Sequence, residues 1–284
     1  MIYLKIIFKL LFFSGIFVVF VSGFMFFTSI RPPRFVSPWT PEDFMMKFED
    51  VTLQTSDGVS IKAWYIPRGD DPASKKAVVL CHGYPADKGN IISIAEMLHP
   101  HFNLLMFDFR AMGKSGGKVT TIGHREVNDL NAAVDWLKAR GITSIGAYGF
   151  SMGGAVAIMA ENPSISAIVS ESAYADLNLM LDQIYGKFSI FKYPFILMTN
   201  IYARLFLGVD LGRSSPRKSI SRLGIPVFLI HSERDSQIPV EHVAILKKEK
   251  PDAEIWVIEG GDHGQLLDKS MYKERMVKFF SDNL

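Results

Sequence analysis

The chain holds one cysteine, Cys81, in 284 residues. No intrachain disulfide can form, and the redox compartment stays open. An excess of one charge is also missing. The 31 lysines and arginines against 29 aspartates and glutamates leave a net charge of +2, too little to argue for a nucleic-acid partner. Of the seven histidines only His99 and His101 lie close together, and no spacing suggests a zinc site. Gly113-Lys114-Ser115 mimics the tail of a phosphate-binding loop, but Asp108 stands where that motif needs its first glycine. There are no internal repeats and no low-complexity tracts. No metal and no cofactor are expected.

From Leu10 to Ile30 charge is absent altogether. These roughly 21 residues are enough to cross a bilayer at about 1.5 Å per residue. A secretory signal has a shorter apolar core and a small-x-small cleavage site. Here the core ends in Phe26-Phe27-Thr28-Ser29-Ile30, and no cysteine follows for lipid attachment. An uncleaved anchor over residues 1–31 is expected, with the bilayer as partner of residues 10–30; a cleaved signal is the alternative. Lys5 and Lys9 before the span nearly balance Arg31 and Arg34 after it. The short N-terminal tail tips the expected orientation towards an extracytoplasmic domain. A proline-rich connector, residues 32–49, reads as a spacer. A chain starting near Phe35 is then expected to be soluble and active on water-soluble esters.

Residues 50–284 read as one α/β domain. Val51–Thr55 and Val59–Pro67 alternate in polarity around the Ser56-Asp57-Gly58 turn, which predicts a β-hairpin. Lys76–Gly83, Phe102–Phe109, Ile165–Glu171, Pro226–His231 and Ala253–Ile258 are continuous apolar runs, the signature of strands buried on both faces. Helical spacing covers Asn90–Leu98, Thr121–Arg140, Val240–Lys250 and Gln265–Phe280. This alternation predicts a mostly parallel sheet with helices on both faces. One block, Tyr174 to Ser215, interrupts it. It is dense in aromatic and large apolar residues and reads as a helical cap over a site.

The chain is organised around Gly149-Phe150-Ser151-Met152-Gly153. A β-prone run precedes it and a small, apolar, helix-prone run follows. A strand turning sharply into a helix strains its corner residue, and glycines two before and two after remove side chains that would collide there. Ser151 Oγ is then lifted clear of the sheet. The Met152 N–H lies in the first helical turn, where free donors and the helix dipole favour negative charge.

With Ser56-Asp57-Gly58…Trp64-Tyr65-Ile66-Pro67, Cys81-His82-Gly83-Tyr84, Asp108-Phe109-Arg110-Ala111-Met112-Gly113-Lys114-Ser115, the Ser151 corner, Ile225 to Asp235, and Gly260-Gly261-Asp262-His263-Gly264 in this order, the chain resembles the α/β-hydrolase superfamily. More narrowly it resembles membrane-anchored Bem46-type serine hydrolases. Ala111 and Ser232 replace glycines usual in that pattern, and little cost is expected from either.

The resemblance implies an order of serine, acid, histidine. His263, in a glycine-flanked loop after the last apolar strand, is the expected base for Ser151. Asp235 is the expected acid, with Glu233, Asp262 and above all Glu171 as rivals. The loop His82-Gly83-Tyr84 is expected to give the second oxyanion donor, the Tyr84 N–H, beside that of Met152. Gly83 would let the backbone approach the substrate, and His82 would brace the loop. Cys81 reads as core, and Asp108 with Arg110 as a structural pair. The expected activity is a serine hydrolase cleaving a carboxylic ester or thioester of a small acyl substrate through an acyl-enzyme. A peptidase acting on a small amide, or a non-catalytic binding module, are the alternatives. An epoxide hydrolase or dehalogenase is disfavoured, because those need a carboxylate at the corner.

Overall fold

The computed structural model of the chain describes residues 2–69, 71, 73–265 and 271–284. One eight-stranded sheet forms the centre. Its strands are β1 (Glu49–Gln54), β2 (Ser60–Ile66), β3 (Lys76–Cys81), β4 (Asn103–Phe107), β5 (Ser144–Phe150), β6 (Ile165–Glu171), β7 (Val227–Ser232) and β8 (Glu254–Ile258). They lie in the order β1-β2-β4-β3-β5-β6-β7-β8. β1 and β2 form the expected hairpin, β2 is antiparallel to β4, and every later pairing is parallel. Val51 and Leu53 of β1 face inward between exposed neighbours, whereas Ala77 to Cys81 are buried without a break. Alternation therefore marks the edge and continuous apolar runs mark the centre.

Helices α2 (Ile92–Leu98), α3 (Glu126–Ala139), α4 (Met152–Met159), α8 (Glu241–Glu249) and α9 (Tyr272–Asn283) cover the sheet, with a buried cluster on each face. Three features of the helices depart from the sequence expectation by more than a residue or two at an end. α3 begins at Glu126 and not Thr121, because residues 120–123 fold around the Glu126 carboxylate. Thr120 Oγ1, Thr121 N and Oγ1, and Gly123 N all donate to it. The short helix α7 (Pro216–Ile220) was not foreseen; Pro216 opens it. The helix expected over Gln265–Phe280 is seen from Tyr272, with residues 266–270 outside the described part.

Between β6 and β7 lies a helical insertion: α5 (Leu177–Ile184), a 3-10 stretch Gly186–Phe191, α6 (Lys192–Tyr202) and a π turn Ala203–Leu207. The N-terminal helix α1 (Ile2–Ser29) has a mean hydropathy of 2.4 over its most apolar window. Its first two-thirds are largely exposed, but Ser22, Gly23 and Phe26 are buried.

The connector is not the spacer expected. Arg34 donates to the carbonyls of Gly113, Ser115 and Gly117. The Ile30 carbonyl accepts from Thr120 N at 2.9 Å. The end of α1 is thereby docked on the domain. Asp108 and Arg110 are not a pair either. Asp108 holds Lys88 at 2.8 Å, and Arg110 bridges Asp129 and Asp57. The two side chains stabilise the loop after β4 through separate ion pairs, buried at Lys88 and Asp129 and partly exposed at Asp57.

Candidate active site

The parallel strands end together, and the candidate residues follow those ends. Cys81 of β3 is level with Gly149 of β5, and Phe150 with Glu171 of β6. Ser232 of β7 is level with Ile258 of β8. Loops at the carboxyl ends of such strands converge on one crevice.

Ser151 sits at the corner between β5 and α4 with φ 54° and ψ −117°. A non-glycine residue there stores on the order of 1–3 kcal/mol of strain. Its N–H is pinned to the Glu171 carbonyl at 2.8 Å. A Cβ on Gly149 would collide with the Gly153 carbonyl, and one on Gly153 with the Cys81 carbonyl. Gly154 is equally constrained: its Cβ would lie 2.7 Å from Ser170 Oγ. Three glycines, one more than expected, let α4 pack backbone to backbone against the strands.

Asp235 follows β7 and His263 follows β8. His263 Nδ1 donates to Asp235 Oδ2 at 2.7 Å. The other carboxylate oxygen accepts from Gln237 N at 3.0 Å and Ile238 N at 2.8 Å. Burial alone would raise the Asp235 pKa. The hydrogen bonds from His263 and the Ile238 backbone, with the charge of the imidazole, hold it below the usual carboxylate value. The carboxylate can thus orient the ring and stabilise an imidazolium. The His263 ring lies 4.9 Å from that of Phe150, the neighbour of Ser151. Ser151 Oγ itself makes no hydrogen bond among the described residues, as is common before substrate arrives.

The rival carboxylates are occupied elsewhere. Glu171 is buried and accepts from Tyr148 Oη at 2.7 Å and from Tyr272 Oη. Burial pushes its pKa up against those bonds. Asp262 binds the Ser236 N–H and hydroxyl, and Glu233 is exposed. Ser232 does more than fit where glycine is usual. Its hydroxyl reaches the Gly260 and Gly261 carbonyls at 2.6 Å and ties the His263 loop to β7. Ala111, by contrast, has φ +61°, so the small cost expected there is corrected to a strained backbone.

The loop after β3 passes over the corner. A Cβ on Gly83 would lie 3.0 Å from the Phe150 ring and 3.3 Å from Ser151 Cβ. His82 Nε2 accepts from Phe109 N at 3.0 Å, which leaves Nδ1 to donate to the Gly83 carbonyl at 2.6 Å. Burial depresses its pKa and keeps it neutral. Neither the Tyr84 nor the Met152 N–H donates a hydrogen bond among the described residues. Cys81 is fully buried, and burial pushes its thiol pKa far up, so it is no nucleophile.

A cavity of about 300 Å³ opens above Ser151 and Met152. Its walls are mainly apolar: Tyr84, Ile122 and Tyr174 from the domain, Leu177, Met180 and Leu181 from α5. Met25, Phe26 and Ser29 of α1, with Ile30 just after it, form another wall. Sequence reasoning missed this last wall. The available signal was the i, i+4 stripe Ser22, Phe26, Ile30 on an otherwise uniform helix.

Residues 76–189 match the sequence profile of the alpha/beta hydrolase fold family. The chain is 29% identical to the protein YqkD of Bacillus subtilis over 82% of its own length and 78% of that protein. It is 26% identical to the protein bem46 of Schizosaccharomyces pombe, over 73% and 67% of the two chains. Among solved structures it is similar to an esterase of Pyrococcus furiosus, with 32% identity, a TM-score of 0.73, and coverage of 90% of this chain and 98% of that one. A parallel sheet with the serine corner after β5, and this degree of identity to a solved esterase across nearly its whole length, show that the chain belongs to the α/β-hydrolase family.

Proposed function

We propose that this protein is a membrane-anchored serine hydrolase that cleaves a carboxylic ester or thioester of an acyl chain. The observation that carries the reading is the strained Ser151 on the floor of an apolar cavity, at a crevice shared with the hydrogen-bonded His263–Asp235 pair. Ser151 Oγ attacks the acyl carbonyl while His263 takes its proton. Asp235 keeps the ring in the tautomer that leaves Nε2 free to do so. The N–H groups of Met152 and Tyr84 receive the oxyanion. His263 then returns the proton to the leaving alcohol or thiol, and water activated by the same base releases the acid. The apolar walls favour an acyl chain over a charged group. The insertion acts as the cap, and the apolar run of residues 10–30 holds the enzyme in the bilayer.

Labelling by a fluorophosphonate probe tests this. Ser151→Ala is expected to abolish labelling and to lower turnover of p-nitrophenyl esters on the order of 10⁴–10⁶-fold with the fold intact. Unchanged turnover in that variant would remove the reading.

A further inference from the structure

The helix that reads as an anchor is also part of the cavity. Its last turns are held in place by hydrogen bonds and not by packing alone. Tyr84 Oη donates to the Ser29 carbonyl at 2.7 Å, and Tyr202 Oη of α6 to the Val19 carbonyl at 2.9 Å. Phe26 and Ile30 are only 5% and 3% exposed. Tyr84 is the residue proposed to donate to the oxyanion, so one side chain joins the anchor to the catalytic loop.

α6 runs beside α1. Phe195 packs on Phe17, Tyr202 on Phe26 and Phe27, and Phe206 on Phe27. On the outside of this pair the surface is apolar. Phe191 is 71%, Leu197 61% and Leu205 73% exposed, and Ile190 and Phe206 lie beside them. Phe206 touches Phe27 of α1, whose first two-thirds are exposed and apolar as well. A water-facing surface of that kind is rare on soluble proteins. The cavity is lined by Ser151, by Met25 and by Ile184, itself 46% exposed. Lys187 and Lys192, on the same segment, suit an interfacial and not a spanning position for the insertion.

Resting on the function proposed above, we infer that the substrate is a lipid resident in the bilayer. Its acyl chain reaches Ser151 laterally, between Met25 of α1 and Ile184 of α5, from the leaflet the insertion touches. The anchor is then a specificity element as well, because Met25 and its neighbours on α1 bound the space the chain fills.

The test uses the full-length protein in phosphatidylcholine vesicles. A long-chain fluorogenic ester that does not exchange between vesicles is placed either in the enzyme's vesicles or in separate ones. Turnover is expected to be at least tenfold higher when enzyme and ester share a bilayer. In parallel, Met25→Trp should lower the ratio of kcat/KM for p-nitrophenyl laurate to that for the acetate about tenfold. Phe24→Trp, on an exposed part of α1 that does not line the cavity, should leave that ratio as it is. Equal turnover in shared and separate vesicles, or an unchanged ratio in Met25→Trp, overturns the inference. Acetate reaches the enzyme through water in either arrangement. If wild-type protein shows no Ser151-dependent acetate hydrolysis, the hydrolase reading fails instead.

Discussion

Single residues carry the chemistry proposed here, and two of them separate it from its rivals. Asp235 and Glu171 are both buried carboxylates near His263. Only Asp235 is hydrogen-bonded to the imidazole, while Glu171 is engaged by two tyrosine hydroxyls. Asp235→Asn is expected to lower kcat by roughly 10⁴-fold, because the ring loses its tautomer control. Glu171→Gln should change kcat by less than about tenfold. Steady-state rates on p-nitrophenyl acetate measure both, and the reverse order would move the acid to Glu171. Ala111 shows a residue whose backbone the sequence did not disclose. Alanine in the left-handed region costs about 1 kcal/mol relative to glycine. Ala111→Gly is expected to stabilise the protein by up to about that amount, read as a rise in Tm, with activity retained.

At the scale of elements, α1 differs most from its reading as a separate anchor. Its exposed part fits the bilayer, yet Phe26 and Ile30 belong to the domain core. Each fully buried side chain of this kind contributes about 1.5–3 kcal/mol, an upper estimate for a chain compact before folding. A protein starting at Phe35 also loses Arg34 and its three carbonyl partners. Its expected behaviour is therefore not simple solubility with full activity. Its Tm should lie several degrees below that of the full chain in the same detergent. Its preference for long over short acyl esters should shrink as well. Differential scanning measurements and an acyl series from acetate to palmitate check the two effects separately.

The whole molecule adds a pH dependence that no single motif announced. Burial depresses the pKa of His242 from 6.5 to about 4, opposed by Glu241, Asp176 and Asp235 and assisted by His231. Its Nδ1 accepts from Ala175 N at 2.9 Å, which requires the neutral ring. The unfolded chain takes up this proton more readily than the folded one. Stability is therefore full above about pH 6.5 and is lost as pH falls towards 4, by up to roughly 3 kcal/mol. Tm measured from pH 7 to 4 should fall less steeply in His242→Gln, which cannot be charged; parallel curves would assign the loss to other groups. The sequence alone determined the strand order along the chain and the glycine-flanked corner at Ser151, and it named His263 and Asp235, which the structure brings into hydrogen-bond contact. Those rest on local patterns: apolar runs, glycines at fixed offsets and short motifs in a fixed order. Only the tertiary structure decided what lies far apart in the chain. Lys88 pairs with Asp108, Arg110 reaches Asp129 and Asp57, and Glu126 delays its own helix. The same holds for the N-terminal helix. The i, i+4 spacing of Ser22, Phe26 and Ile30 marks one face of an apolar helix, but only packing against α6 and the loop at Tyr84 makes Phe26 and Ile30 a wall of the site.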